Sequence, residues 1–407
     1  MRVLFYCQHV LGVGHVFRSL EIVRALSGHE VVMVTGGADI ALDPPPNMRL
    51  ERLPGLMMSP DFETFIPTEP GADLDTVRAR RTQRFRAIMA EYRPDILLVE
   101  LFPFGRRAFR FELVPILEGV RAGEWGPCKT ACSLRDILVE KPDPAKYARR
   151  VLDMLNPNFD LVLVHADPTL VTLDETFPAV ADIAPPVRYT GYVAVRPEPG
   201  SGLALRRELG LDTTPPTPLI IASAGGGQVG NELIQAAIQA SIQISGPLAD
   251  SLPHALMAFT GPYAPDADHA RCQALAAPHP HITVRRFTSR FPAHLDAADL
   301  SLSLGGYNTT MNLLAATTYG LIFPFAQNRE QAMRTSRLAQ RHAVGLLSTT
   351  DLDPDLLATR ITQALTHPAT SNPLDLTGAS TTARLLEELG GVREEAASVP
   401  WTAERRF

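Results

Sequence analysis

LSLSLGGYNTTMNLLA, residues 300–315, decides the fold. Leucine alternates with serine over 300–304, two glycines interrupt, and a helix-period segment follows. A strand that passes through glycine straight into a helix is the opening of a βα unit. Gly305 and Gly306 would let the backbone approach a ligand closely. The free amides at the helix start would then face an anion, with Asn308 and Thr309 adding donors. A diphosphate fits such a turn, and a tight turn without any ligand would use the same residues.

Working outward, the same pattern recurs. PLIIASA (218–224) reads as a strand, Gly225-Gly226-Gly227-Gln228-Val229-Gly230 as a loop and NELIQAAIQAS as a helix. Gly226 and Gly227 would therefore approach a ligand beside Gly305 and Gly306. Further strands are expected at 255–260, 282–286 and 321–325. Upstream, strands are expected at 2–7, 30–35, 95–100, 129–133, 160–165 and 187–193, with a helix from about Val16 to Leu26. RPEPGSG (196–202) reads as a linker. The pattern is α/β, two doubly wound halves facing a cleft. The boundaries are 1–195, 196–379 and a tail over 393–407, with an amphipathic helix at about 380–392. Ligands in such sheets bind at the carboxyl ends of the strands.

Bulk composition narrows the function. The 407 residues suit two or three domains of ~100–200 residues. A net charge of −6 gives no global pull toward nucleic acid. Cys7, Cys128, Cys132 and Cys272 lack metal or redox spacing, no carboxylate cluster suggests a metal, and no cofactor is expected. No window approaches ~20 apolar residues, and MRVLFYCQHV runs directly into a strand-like segment. The expectation is a cytoplasmic protein. FPFGRRAFRF (102–111) and LMM (56–58) leave open a lipid-linked acceptor or peripheral contact with the inner membrane face.

Candidate chemistry in the first half follows its strands. Gly14 and His15 lie just after the first, in GVGHVFR (12–18). The third position of a dinucleotide fingerprint is Phe17 or Arg18, and the second strand ends without an acid, so dinucleotide binding is disfavoured. An imidazole at a strand's carboxyl end can take a proton from an attacking hydroxyl. Glu100, ending DILLVE, is the other candidate base, or a structural partner for Arg106 or Arg107. Arg18, Arg135 and Asp136 are acceptor-side candidates. In the second half, Glu330 and Gln331 could grip sugar hydroxyls.

The whole chain, roughly 1–390, resembles the GT-B glycosyltransferases close to family 28, which include the peptidoglycan enzyme adding N-acetylglucosamine to lipid I. GVGHVFRSL, GGGQVGNELI (225–234), LSLGGYNTTMNLLA (302–315) and EQAMR (330–334) carry the resemblance by their order and spacing. It implies a nucleotide-sugar donor, UDP by default, in the C-terminal domain, and a small-molecule or lipid-linked acceptor in the N-terminal one. Backbone near Phe287 would meet the base, the GGYNTT loop the diphosphate, and Glu330 and Gln331 the donor sugar. Gly14 and His15 would sit at the reacting centre, and the C-terminal helix would cross back to the first domain. Relatives carry a glutamate for the ribose where Asn312 stands, a departure that bears on donor choice and on activity itself. Retaining members often show two glutamates eight apart by the donor loop. Glu330 has Ile322 and Leu338 at those distances, so an inverting, metal-independent transfer is expected. A UDP-sugar epimerase on the same fold and a non-catalytic nucleotide-sugar-binding partner of another transferase remain alternatives. A phosphorylase does not, because the second half has no lysine for pyridoxal phosphate.

Overall fold

Parallel strands buried on both faces are near-continuous apolar runs, and two sheets of this kind organise the chain. The computed structural model describes residues 1–8, 14–37, 43–58, 64–246, 252–325, 329–366 and 374–391. The first half contains β1 (Arg2–Tyr6), α1 (Gly14–Ala25), β2 (Glu30–Thr35), β3 (Met48–Arg52), β4 (Leu56–Met58), β5 (Phe65–Pro67), α2 (Leu74–Tyr92), β6 (Ile96–Glu100), α3 (Arg110–Arg121), β7 (Lys129–Arg135), α4 (Pro144–Asn158), β8 (Leu161–His165) and β9 (Val187–Tyr189). The second contains α5 (Ser201–Glu208), β10 (Leu219–Ser223), α6 (Asn231–Ile244), β11 (Ala255–Phe259), α7 (Asp266–Ala276), β12 (Ile282–Arg285), α8 (Phe291–Ala297), β13 (Leu300–Leu304), α9 (Tyr307–Ala315), β14 (Gly320–Phe323), α10 (Arg329–Gln340), β15 (Gly345–Leu346), α11 (Pro354–Leu365) and α12 (Gly378–Leu389).

The first sheet has the order β3-β2-β1-β6-β7-β8-β9 and the second β12-β11-β10-β13-β14-β15; β4 and β5 form a separate hairpin. Every pairing in the two large sheets is parallel. Each sheet therefore reverses winding at one point, between β1 and β6 and between β10 and β13. A crevice forms at such a point outside the strand ends. The loops leaving these four strands begin at residues 7, 101, 224 and 305, and they carry the sequence motifs.

The strand expected over 187–193 ends at Tyr189. Gly191 turns with φ 80°, and the Tyr192 amide donates to Asp375 O at 2.8 Å, leaving the sheet. The chain then passes into the second half. α12 returns to the first: Ala383, Leu385 and Leu386 pack with Val3, Phe5, Ile22 and Val23, and Glu387 Oε1 meets His29 Nε2 at 2.7 Å. The largest apolar core is continuous across the halves, with Tyr192 and Leu134 in the same cluster as Tyr307, Met311 and Leu314. The expected 393–407 tail lies outside the described residues.

Candidate active site

Glu100 is the last residue of β6 and His15 sits in the first turn of α1, one on each side of the first crevice. His15 Nδ1 is 2.6 Å from Glu100 Oε1. Arg18, one turn along α1, donates to the same oxygen at 2.7 Å, and Arg106 Nε reaches Oε2 at 3.3 Å. The backbone bends sharply to bring Arg106 back. Leu101 (φ 64°) and Arg106 (φ 55°) both occupy the left-handed region. For non-glycine residues this costs on the order of 1–3 kcal/mol and clusters at functional sites. Leu101 N–H to Ser133 O (2.8 Å) and Gly105 N–H to Leu101 O (2.7 Å) hold the bend.

Charge decides what this dyad can do. Burial works to raise the Glu100 pKa, but His15, Arg106 and Arg18 together hold it below the ordinary carboxylate value. An ionised carboxylate only accepts, so His15 Nδ1 must carry its hydrogen. Nε2 is then the basic nitrogen, and it has no partner among the described residues. Burial pushes His15 down from 6.5 to about 4, against the pull of Glu100. The imidazole is therefore neutral at pH 7. Its side chain keeps 24% exposure while Glu100 has none, so only the histidine opens to the cleft.

The second crevice offers backbone. Gly306 is the N-cap residue of α9 and Gly230 that of α6, and neither helix has a side-chain cap. The first amides of both helices are thus available to an anion. Glycine is required at Gly227, whose φ is 87° and where an added Cβ would lie 2.4 Å from Thr260 O. The loops after β10 and β11 pack backbone to backbone there. A Cβ on Gly306 would meet nothing within 4 Å, so that cap faces open space. A cavity of about 440 Å³ borders the 227–230 loop, lined by Gln228, Asn231, Glu232, Gln235, Asp268 and others. Those side chains suit hydroxyl groups.

Across the cleft the halves are stitched together. Asn308 Nδ2 donates to Gly14 O at 2.8 Å, tying the α9 start to the residue before His15. The Tyr307 ring lies 5.3 Å from the Arg18 guanidinium and 5.4 Å from that of Arg334, and its hydroxyl donates to His165 O at 3.3 Å. Arg334 forms a bidentate pair with Asp136 at 2.6 and 2.9 Å, both side chains fully buried. Along the same face of α10, Arg329 pairs with Glu140, Glu330 with Arg135, and Arg337 with Glu175. Among the described residues no group of three His, Cys, Asp or Glu side chains is placed to hold a metal.

Residues 223–388 match the glycosyltransferase family 28 C-terminal domain. Solved structures with the same fold include CalG4, the calicheamicin glycosyltransferase, at 15% identity and TM-score 0.57, covering 98% of this chain and 100% of the other. MurG of Acinetobacter baumannii follows at 17% and 0.51, covering 94% of each chain. The spinosyn rhamnosyltransferase SpnG stands at 16% and 0.53, covering 96% of each. No curated protein matches by sequence. The chain has the GT-B fold, and its residues 223–388 resemble the family 28 glycosyltransferase C-terminal domain.

In this chain the expected residues fall into two groups. Gly14, His15, Arg18, Glu100, Arg135 and Asp136 meet on the N-terminal side. Gly226, Gly227, Gly305, Gly306, Asn308 and Thr309 meet on the C-terminal side. Asn312, expected at the ribose, accepts the Val195 amide through Oδ1 at 2.8 Å and so fixes the linker. Glu330 and Gln331 are also engaged: Gln331 Oε1 accepts from the Phe325 amide at 3.2 Å. Of Arg106 and Arg107, it is Arg106 that reaches Glu100, beside Arg18. Phe287 is 56% exposed, two residues past the end of β12. The residue that sequence reasoning missed is Tyr263, 47% exposed, whose amide donates to Gly226 O at 3.0 Å. The strand–Gly–Tyr order in FTGPY (259–263) was the signal available for it.

Proposed function

We propose that this glycosyltransferase moves a hexose or amino sugar from a nucleotide-diphosphate sugar, UDP by default, to an acceptor hydroxyl with inversion and without a metal. The observation that carries the reading is the pairing of a neutral, carboxylate-oriented His15 with the uncapped start of α9, held together by the Asn308–Gly14 bond. The acceptor oxygen attacks the anomeric carbon as the bond to the diphosphate breaks. His15 Nε2 takes the hydroxyl proton, and Glu100, already held by the Arg18 and Arg106 guanidiniums, stabilises the imidazolium. Negative charge grows on the departing diphosphate and meets the amides of α9 and α6 at no cost in reorganisation. Those amides do the work a metal would otherwise do.

Phe287 and Tyr263 offer exposed aromatic faces for the base, and the Gln228, Asn231, Glu232 and Asp268 side chains of the cavity beside Gly227–Gly230 suit the donor sugar. No cofactor enters this scheme. The acceptor is a small or lipid-linked molecule, and we place the protein in the cytoplasm or at the inner membrane face. No helix among the described residues is long and apolar enough to cross a membrane.

A thermal-shift panel of UDP-, GDP- and TDP-sugars tests the donor, since a ligand at ~100 times its Kd adds about 2.7 kcal/mol. Turnover in EDTA with stereochemical analysis of the product tests metal independence and inversion. A panel without any shift, or a product retaining the donor's anomeric configuration, would overturn the reading.

A further inference from the structure

Around the His15–Glu100 dyad, cations outnumber anions. The guanidinium groups of Arg18, Arg106, Arg135 and Arg334 face the carboxylates of Glu100, Glu330 and Asp136, which leaves one positive charge over. The surplus lies on the N-terminal side, because Asp136 fully occupies Arg334 while Arg18 and Arg106 share Glu100. Arg18, Arg106 and Arg135 come from α1, the β6 loop and the end of β7.

The hydrogen-bond inventory shows the same imbalance. Arg18 Nε, Arg106 Nη2 and Arg135 Nε are buried and have no acceptor among the described residues. Buried guanidinium donors without acceptors are costly. Arg135 also feels the crowding: burial, then Arg334 and Arg18, push it down to about 10 against the pull of Asp136. Yet the cluster is not sealed. Arg106 keeps 13% side-chain exposure and Arg135 15%, beside the 24% of His15.

We propose that this half of the cleft is an oxyanion site: Arg106, with Arg18 and Arg135 behind it, holds a carboxylate or phosphate that the acceptor carries near the hydroxyl deprotonated by His15. The inference rests on the transferase reading and names its acceptor class as acidic. The donor diphosphate belongs to the amides of the opposite half, so the two anions have separate seats. Arg106 is the best-placed contact. Its Nη2 is free while its Nε, on Glu100 Oε2, fixes the fork relative to His15 on Oε1. A planar fork also gives the bound oxyanion a defined direction.

The test uses the full-length chain with D-glucuronate, D-glucose 6-phosphate and D-glucose as probes, binding being read by calorimetry and thermal shift. At least one of the two acids is expected to bind about 10- to 100-fold more tightly than glucose. Whichever acid binds identifies the oxyanion as carboxylate or phosphate. Arg106→Met should erase that preference and Arg106→Lys should restore part of it. Glu100 keeps Arg18 and His15 in both variants, so the fold is retained. Gly306→Asp, at the donor turn, should leave acid binding unchanged. The proposal is overturned if glucose binds as well as both acids or neither acid binds. It is equally overturned if Arg106→Met leaves acid binding intact, or if only Gly306→Asp removes it. The nucleotide-sugar panel run alongside separates the failures: nucleotide sugars binding without any acid sinks this inference alone, and acids binding without any nucleotide sugar sinks the donor reading.

Discussion

Gly306→Asp should make the protein slightly more stable and cripple its donor binding. Gly306 already has the extended backbone of an N-cap residue, φ −61° and ψ 146°, which any residue adopts. Its Cβ position is open to 4 Å, so an aspartate enters without strain. Its carboxylate can accept from the first amides of α9 and complement the helix dipole, a gain of a few tenths to about 1 kcal/mol over glycine. The same carboxylate stands where the diphosphate is to sit. At ~5 Å and an effective dielectric of ~20, each unit of like charge costs about 3 kcal/mol. Halved for water and ions, the repulsion on a diphosphate of charge about −2 is still about 3 kcal/mol, roughly 10²-fold in affinity. A nucleotide sugar at ~100 times the wild-type Kd adds about 2.7 kcal/mol to the wild type but only about 0.4 kcal/mol to the variant. Melting curves with and without donor read both effects. A variant that keeps the full donor-induced shift would refute the placement of the diphosphate at α9.

Four further outcomes are expected. His15→Ala should lower kcat by ~10²- to 10⁴-fold while leaving the donor Kd within about threefold, measured by calorimetry. The acid limb of kcat/KM should fall near pH 4 and not 6.5, because His15 is held at about 4 in the free protein. Bound diphosphate favours the imidazolium, so the limb of kcat should lie higher than that of kcat/KM, as parallel pH profiles would show. His15, at about 4, and fully buried His165, at about 3, both sit below their unfolded 6.5; their contribution to stability is present above pH 6.5 and is lost as pH falls toward those values, which urea midpoints between pH 7 and 4 would record. Arg334→Met leaves Asp136 buried without its partner, a cost of about 3–5 kcal/mol. Opening the domains can relieve that cost, so hydrogen exchange should rise at 133–137 and 305–309 and stay unchanged in β10 and β11.

The strands that carry the site were legible because each is a parallel strand buried on both faces, and burial writes itself as an apolar run. β2 and β13 fall where the sequence places them. α2 is different. Its inward face includes Arg81, fully buried, which donates to both oxygens of Glu112 at 2.7 Å and to Gly36 O at 2.9 Å. A helix that turns an arginine into the core shows little apolar periodicity, so no hydrophobic pattern announces it. β3, MRLER, is an edge strand whose charges belong to the surface. The partners of the site residues were illegible for a related reason. Sequence places His15, Glu100, Arg18 and Arg106 at strand ends, but which cation meets which carboxylate depends on how two crevices face each other. Asn312 is an example: no sequence pattern gave its bond to the Val195 amide, which ties α9 to the linker.

The same facing geometry joins the proposed base to the proposed leaving-group turn. Asn308 lies on the turn assigned to the diphosphate, yet it spans the cleft to Gly14 O. An asparagine amide carries two N–H donors, so one can stay on Gly14 while the other meets a donor oxygen. The base and the leaving-group site are then joined through one side chain. Tyr307 adds a second connection, its ring flanked by Arg18 of the dyad and Arg334 of the buried interdomain pair. Moving the domains apart would break the Asn308 bond and pull the Tyr307 ring from Arg18, the cation that shares Glu100 with His15. Separating the halves would therefore take the base away from the leaving-group turn of the proposed mechanism.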